Sequence, residues 1–154
     1  MTAETWLPPS LAARPRDPRR GIPVPYVNVI RENGECDFTR VDTARSLRCA
    51  RERLCSLCGT LMEGEVAFIG AQECQARNRY LDPPMHPDCG EAAMGICPYL
   101  GAPYARQAAG GPDVPDGWTA GGTGRLALHV TGGYEWEPVA VRGRRCPVFF
   151  PYAP

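Results

Sequence analysis

Two cysteine-containing pairs at a fixed short spacing constrain this chain more than anything else in it. Cys55-Ser-Leu-Cys58-Gly59 is followed, after 27 residues, by His86-Pro-Asp-Cys89, a C-x2-C-x27-H-x2-C pattern. A two-residue gap in a tight turn lets two thiolates converge on one ion while backbone N–H groups point at the sulfurs. The second pair sits where a helix can begin, because Pro87 suits a first helical position. Cys89 then falls in the first turn, where the helix dipole favours a thiolate. The helix PDCGEAAMGI runs until Cys97-Pro98, where proline stops it. A knuckle, a β-hairpin within LMEGEVAFIG and a helix, in that order, predict a treble clef. Three thiolates and one imidazole form a preferred closed zinc environment, so Cys55, Cys58, His86 and Cys89 are the candidate metal ligands.

The chain holds 8 cysteines in 154 residues, and its N-terminus does not read as an export signal. Such cysteines point to metal or redox roles rather than disulfides. Cys74 and Cys97 flank the central set and read either as buried small thiols or as an alternative fourth ligand, a redox pair or the donors of a second metal. Cys36, Cys49 and Cys146 are isolated and read as packing residues. A c-type haem would want C-x-x-C-H, yet Gly59 follows Cys58.

Composition removes several chemistries. All 17 basic residues are arginine, which excludes a phosphate-loop lysine, a Schiff base and a Ser-Lys dyad. Serine occurs only at Ser10, Ser46 and Ser56, none inside G-x-S-x-G. No apolar run is long enough to span a bilayer, so a soluble cytoplasmic protein without membrane contact is expected.

Along the chain, residues 1–20 carry four prolines and little periodic pattern, and read as a mobile Arg/Pro-rich arm. Residues 21–100 hold a strand, a helix and the metal module. The strand is GIPVPYVNVIR over 21–31, an edge strand because of its prolines, with an Asn33-Gly34 turn and a partner near Cys36–Val41. Asp42 or Thr43 caps a helix over 44–54 with Leu47, Ala50 and Leu54 on one face. Residues 101–124, rich in Gly and Pro, read as a linker. Residues 125–154 read as a three-strand β-meander packed on the module or on a partner. The expected fold class is therefore α+β.

The stretches RGIPVPYVNVI, DFTRVDTARSLRCARERLCSLCG and AFIGAQECQARNRYLDPPMHPDCGEAAMGICPYL carry a resemblance to an uncharacterised family of small bacterial and phage CxxCG…HxxC proteins, over about residues 20–106. The family's Cys/His positions fall on Cys55, Cys58, Cys74, His86, Cys89 and Cys97, and a further motif on Asn78, Arg79, Pro83 and Pro84. Ser56 stands where family members often have Trp, and Ala71-Gln72-Glu73 where they often have Pro-Met. The resemblance implies a shared metal-binding, zinc-finger-like fold and leaves the activity open.

Function is then weighed from the residues. A His-metal nuclease needs a general-base histidine and further ligands, and the chain has only His86 and His129. Residues 55–100 carry two arginines against six acids, which disfavours that module as a reader of phosphate. Nucleic acid stays open through Arg14, Arg16, Arg19 and Arg20 and through the helix arginines Arg45, Arg48, Arg51 and Arg53. Glu52 can pair with Arg48 on that helix. The leading expectation is a structural zinc protein that presents a surface to another protein. The alternative is a small metalloenzyme using iron (non-haem, cluster or haem) or open-site zinc on a small molecule. In that case Arg77, Asn78 and Arg79 would form a binding loop. The aromatic set Trp118, Tyr134, Trp136, Phe149, Phe150 and Tyr152 reads as core and interface.

Overall fold

The computed structural model describes residues 6–96, 126–141 and 143–153. Prolines decide how its N-terminal part folds. Pro23 and Pro25 withhold donors, so of the expected strand over 21–31 only Asn28–Ile30 (β1) is a strand. It pairs antiparallel with Cys36–Val41 (β2), placing Ile30 opposite Cys36, with an irregularity between Asn28 and Val29. Asn33-Gly34 makes the turn as expected: Gly34 takes φ +86° and Asn33 Oδ1 accepts from the Glu35 amide. The residues left out of the strand bond elsewhere. Tyr26 N–H donates to the Leu57 carbonyl and Val27 N–H to that of Ser56, so this segment lies along the C-x2-C turn.

Residues 1–20, expected as a mobile arm, are described from Trp6 onward and carry structure there. Pro9–Ala12 form a short helix (α1), and Leu11 is buried in the main core. Asp17, 2% exposed, accepts the Cys36 amide at 2.8 Å and the Arg20 amide at 2.7 Å. A carboxylate with two such partners fixes the segment without any hydrophobic periodicity.

Thr43–Glu52 form α2, capped by Asp42, whose Oδ1 accepts the Arg45 amide at 3.0 Å. Its buried side chains are Ser46, Cys49 and Ala50, with Leu47 and Leu54 only half-buried. The helix closes on Arg53 in the left-handed region, φ +56°. Further on come Val66–Gly70 (β3), Gln72–Arg77 (α3) and Pro87–Ile96 (α4). α3 takes in Arg77, the first residue of the expected binding loop.

The expected C-terminal meander does not form. Ala127–Thr131 (β4) pairs antiparallel with β3, from Val66 opposite Thr131 to Gly70 opposite Ala127. Only Tyr134–Val141 (β5) and Arg144–Pro151 (β6) make a hairpin. LMEGEVAFIG does not fold back on itself either: Leu54 bridges Leu61 around the knuckle, and β3 leaves to pair elsewhere. The reason lies in β3, buried from Val66 to Ile69, whose backbone groups need partners on both edges. Met85 serves one edge through reciprocal bonds with Ala67 of 2.8 and 2.9 Å, and β4 serves the other. Gly132-Gly133 thus makes a corner rather than a hairpin, held where Tyr152 N–H donates to the Gly133 carbonyl.

The result is an α+β fold with three two-stranded antiparallel sheets among the described residues. Its core centres on Phe68 of β3 and Phe149 of β6, both fully buried, with Tyr80 and Tyr134 against Phe68 at ring distances of 4.8 and 6.1 Å. The Tyr134 hydroxyl donates to the carbonyls of Cys49 and Ala50, which ties β5 to α2. No helix among the described residues is long and apolar enough to cross a membrane. The linker expected over 101–124, Trp118 and Cys97 lie outside the described residues.

Candidate metal centre

The turn after α2 begins the site. Gly59 N–H donates to the Cys55 carbonyl and Cys55 N–H to that of Thr60, both at 2.8 Å, which closes a tight loop around Cys55 and Cys58. Gly59 sits at φ +78°, and a Cβ there would meet Tyr26 Cδ2 at 2.9 Å. Glycine is required by the conformation and by the close approach of the N-terminal segment. The opposite half of the site is brought in by Pro84, whose carbonyl accepts the Ser56 amide at 3.0 Å, and by Met85 on the edge of β3. His86 follows at once, and Pro87 opens α4 as the sequence predicts. Cys89 lies in the first turn of α4, where Gly90 lets the helix approach Leu128 of β4; a Cβ at Gly90 would stand 2.6 Å from its Cδ1.

These elements bring the ligand atoms of Cys55, Cys58, His86 and Cys89 within 4.8 Å of one another, a group that could hold a metal ion. The three cysteines are buried and His86 half-buried. His86 Nδ1 faces the sulfurs of Cys58 at 3.4 Å and Cys89 at 3.9 Å. Its other nitrogen, Nε2, stands 3.1 Å from the Leu61 carbonyl oxygen. Because a carbonyl only accepts, this arrangement places the ring proton on Nε2 and leaves the Nδ1 lone pair for an ion. The sulfurs have their own donors. The amides of Cys58 and His86 point at Cys55 Sγ at 3.4 and 3.3 Å, and the Thr60 hydroxyl lies 3.0 Å from Cys58 Sγ.

Charge at the site follows from this crowding. Burial works against a Cys55 thiolate, but hydrogen bonds from the Cys58 and Cys89 side chains and from the Cys58 and His86 amides outweigh it and hold its pKa well below the ordinary thiol value. Cys89 moves the opposite way: it is hydrogen-bonded to Cys55 and Cys58, buried beside them, and held protonated. Three sulfurs this close cannot all ionise unless a cation offsets their charge.

The other candidates fall elsewhere. Cys74 lies on α3, half-buried, and is not part of the four-residue group; burial raises its pKa. Cys97 lies outside the described residues. Arg77 and Asn78 close α3: Arg77 is in its last turn, and Asn78 takes φ +52° while its Nδ2 donates to the Pro151 carbonyl at 2.9 Å. The Arg79 amide donates to the Cys74 carbonyl at 3.0 Å. Cys49 is fully buried and, for that reason first and the nearby Cys55 second, has its pKa pushed up to about 12.

Many of the arginines considered for nucleic acid are engaged within the chain. Arg14 Nε donates to the Val24 carbonyl, and its guanidinium lies 5.8 Å from the Tyr26 ring centre. Arg16 donates to the Gly21 carbonyl, Arg45 donates to that of Tyr26, and Arg48 pairs with Glu52 at 2.7 Å as the i,i+4 spacing predicts. The Leu61 carbonyl and Thr60 hydroxyl were not foreseen. Thr60, a polar residue two places after Cys58, was the one available signal; a carbonyl leaves none.

No family model matches the chain, and neither a characterised protein nor a solved structure matches it.

Proposed function

We propose that the chain is a small structural zinc protein of the treble-clef type, with the antiparallel bridge between Ala67 and Met85 in place of the hairpin expected within LMEGEVAFIG, and that it belongs to the bacterial and phage family that it resembles. In this reading it acts in the cytoplasm by presenting a surface to another protein. The carrying observation is the convergence of three cysteines and His86 within 4.8 Å, with His86 Nε2 occupied by the Leu61 carbonyl. That donor set suits Zn²⁺, and four protein donors fill a tetrahedral ion and leave no place for a reacting water. The same closure weighs against the metalloenzyme alternative, as does the position of Arg77 and Asn78 at the end of α3. Zinc would supply folding energy that a small Gly- and Pro-rich chain lacks.

The test is metal identity and stoichiometry on protein purified without added metal, with an absorption spectrum of the same sample. One colourless Zn²⁺ per chain, whose removal by a chelator unfolds the protein, supports the reading. Iron, a visible absorption band or a fold indifferent to chelation overturns it in favour of a redox or catalytic metal.

A further inference from the structure

One open cleft of about 460 Å³ gathers arginines that pair with no carboxylate among the described residues. It forms where the end of β2 and the start of α2 meet the first residues of β6. Arg40, Arg144 and Arg145 line it, all three exposed, and none has an acidic side-chain partner among the described residues. This sets them apart from Arg31, which pairs with Asp37, and Arg48, which pairs with Glu52. The lining includes one carboxylate, that of Asp42, already committed to the Arg45 amide as the cap of α2. The three guanidiniums outnumber this carboxylate and give the cleft its positive character. Its remaining surface is largely apolar, with Val29, Val41 and Leu47 half-buried.

A planar guanidinium is built to receive carboxylate or phosphate through paired N–H donors. The apolar floor separates these two ligands. A phosphodiester backbone would use the arginines alone, and the cleft has no aromatic ring on which a base could stack. An acidic peptide carrying one apolar side chain would use both surfaces, with an anchor in the centre and charges at the rim. We infer that this cleft docks an acidic peptide segment of a partner protein, its carboxylates on Arg40, Arg144 and Arg145 and an aliphatic side chain on Val29, Val41 and Leu47. The inference rests on the reading of the chain as a protein-interaction module and assigns that partner its chemistry.

The experiment is an NMR titration of the isotopically labelled full chain, as purified with its metal, using the synthetic peptide Glu-Asp-Leu-Glu-Asp-Leu as probe. Amide shifts confined to the end of β2, the start of α2 and the start of β6 are expected. They should weaken with added salt and be absent with the neutral peptide Gln-Asn-Leu-Gln-Asn-Leu. Reversing charge with Arg144→Glu and Arg145→Glu together should cut affinity about tenfold or more. Both positions are exposed, and an unchanged spectrum and metal content establish that the variant is folded. No shift at millimolar peptide overturns the inference, as does an equal or larger response at the same residues to a thymidine oligonucleotide. Metal analysis of the same sample tests the zinc reading separately: a chain without zinc that still binds the peptide fails the one and keeps the other.

Discussion

The Nε2 of His86 stands 3.1 Å from the carbonyl oxygen of Leu61, and this contact selects the tautomer that turns a bare Nδ1 toward Cys58. The orientation of the ring is therefore set by the backbone of the knuckle. The site is prepared by the knuckle itself, because Leu61 is the residue that bridges back to Leu54.

Removing a sulfur should remove the fold. Cys58→Ser and Cys89→Ser each take away one donor from a site whose metal is expected to contribute about 10 kcal/mol or more. Both variants should lose bound metal and the dispersed NMR spectrum together. Either one remaining folded and metal-free contradicts a structural role for the site.

Metal affinity should rise with pH. Cys55 is held toward the thiolate, whereas Cys89 is held protonated beside it, so binding through three thiolates must expel at least the Cys89 proton. Acidification returns that proton and weakens binding. Calorimetry in buffers of different ionisation enthalpy measures the release, and binding without proton release at neutral pH would show that the sulfurs are ionised beforehand.

Gly59 and Gly34 form a matched pair. Both have positive φ, +78° and +86°, but a Cβ at Gly59 meets Tyr26 while one at Gly34 meets nothing within 4 Å. Alanine at Gly34 should cost only the backbone strain, about 1–2 kcal/mol. Alanine at Gly59 should cost clearly more and lower metal affinity, because the C-x2-C turn must shift. Urea denaturation compares the two.

Asp17 should make stability acid-sensitive. Its pKa lies below the ordinary 3.8, chiefly because its carboxylate accepts the Cys36 amide, with burial opposing and the Arg20 and Arg19 amides adding to the effect. A depressed folded pKa contributes stability that is complete above 3.8 and is lost as pH falls through the folded value. Asp17→Ala should destabilise by about 1–3 kcal/mol at pH 7, and the gap from the parent chain should narrow below about pH 4. An equal gap at both pH values would mean that the side chain acts through packing. Deleting residues 1–19 removes Leu11 as well and should cost more than the single substitution.

Tyr134→Phe keeps the ring among Phe68 and Phe149 but removes the hydroxyl that reaches the Cys49 and Ala50 carbonyls. A loss of about 1 kcal/mol is expected from thermal or chemical unfolding, with metal content unchanged. No loss would show that water replaces the bond.

What could be read in the sequence was local. The Asp42 cap, the Arg48–Glu52 pair, the Asn33-Gly34 turn and the start of α4 at Pro87 each depend on residues within a few positions of one another. So does each half of the Cys/His group, and the joining of the halves was inferred from ligand chemistry. The misreadings were long-range. Nothing in Ala127–Thr131 says that its partner is β3 rather than the strand beyond Gly132-Gly133, because only Thr131 of this strand is buried and the segment carries no clear apolar face to set its pairing. The N-terminal segment lacked periodicity and so read as loose, yet one buried leucine and one carboxylate with backbone partners hold it.

The pairing of β3 with β4 has a consequence for synthesis. A ribosome delivers all four residues of the Cys/His group before it delivers the strand that completes their sheet. During that interval the nascent chain carries a buried-type strand with one bare edge, the kind of surface that recruits another chain. An ion captured early by the finished knuckle would hold β3 and α4 together until β4 arrives. Loading of the metal would then act as a timing device, protecting an unfinished sheet from its neighbours on the polysome.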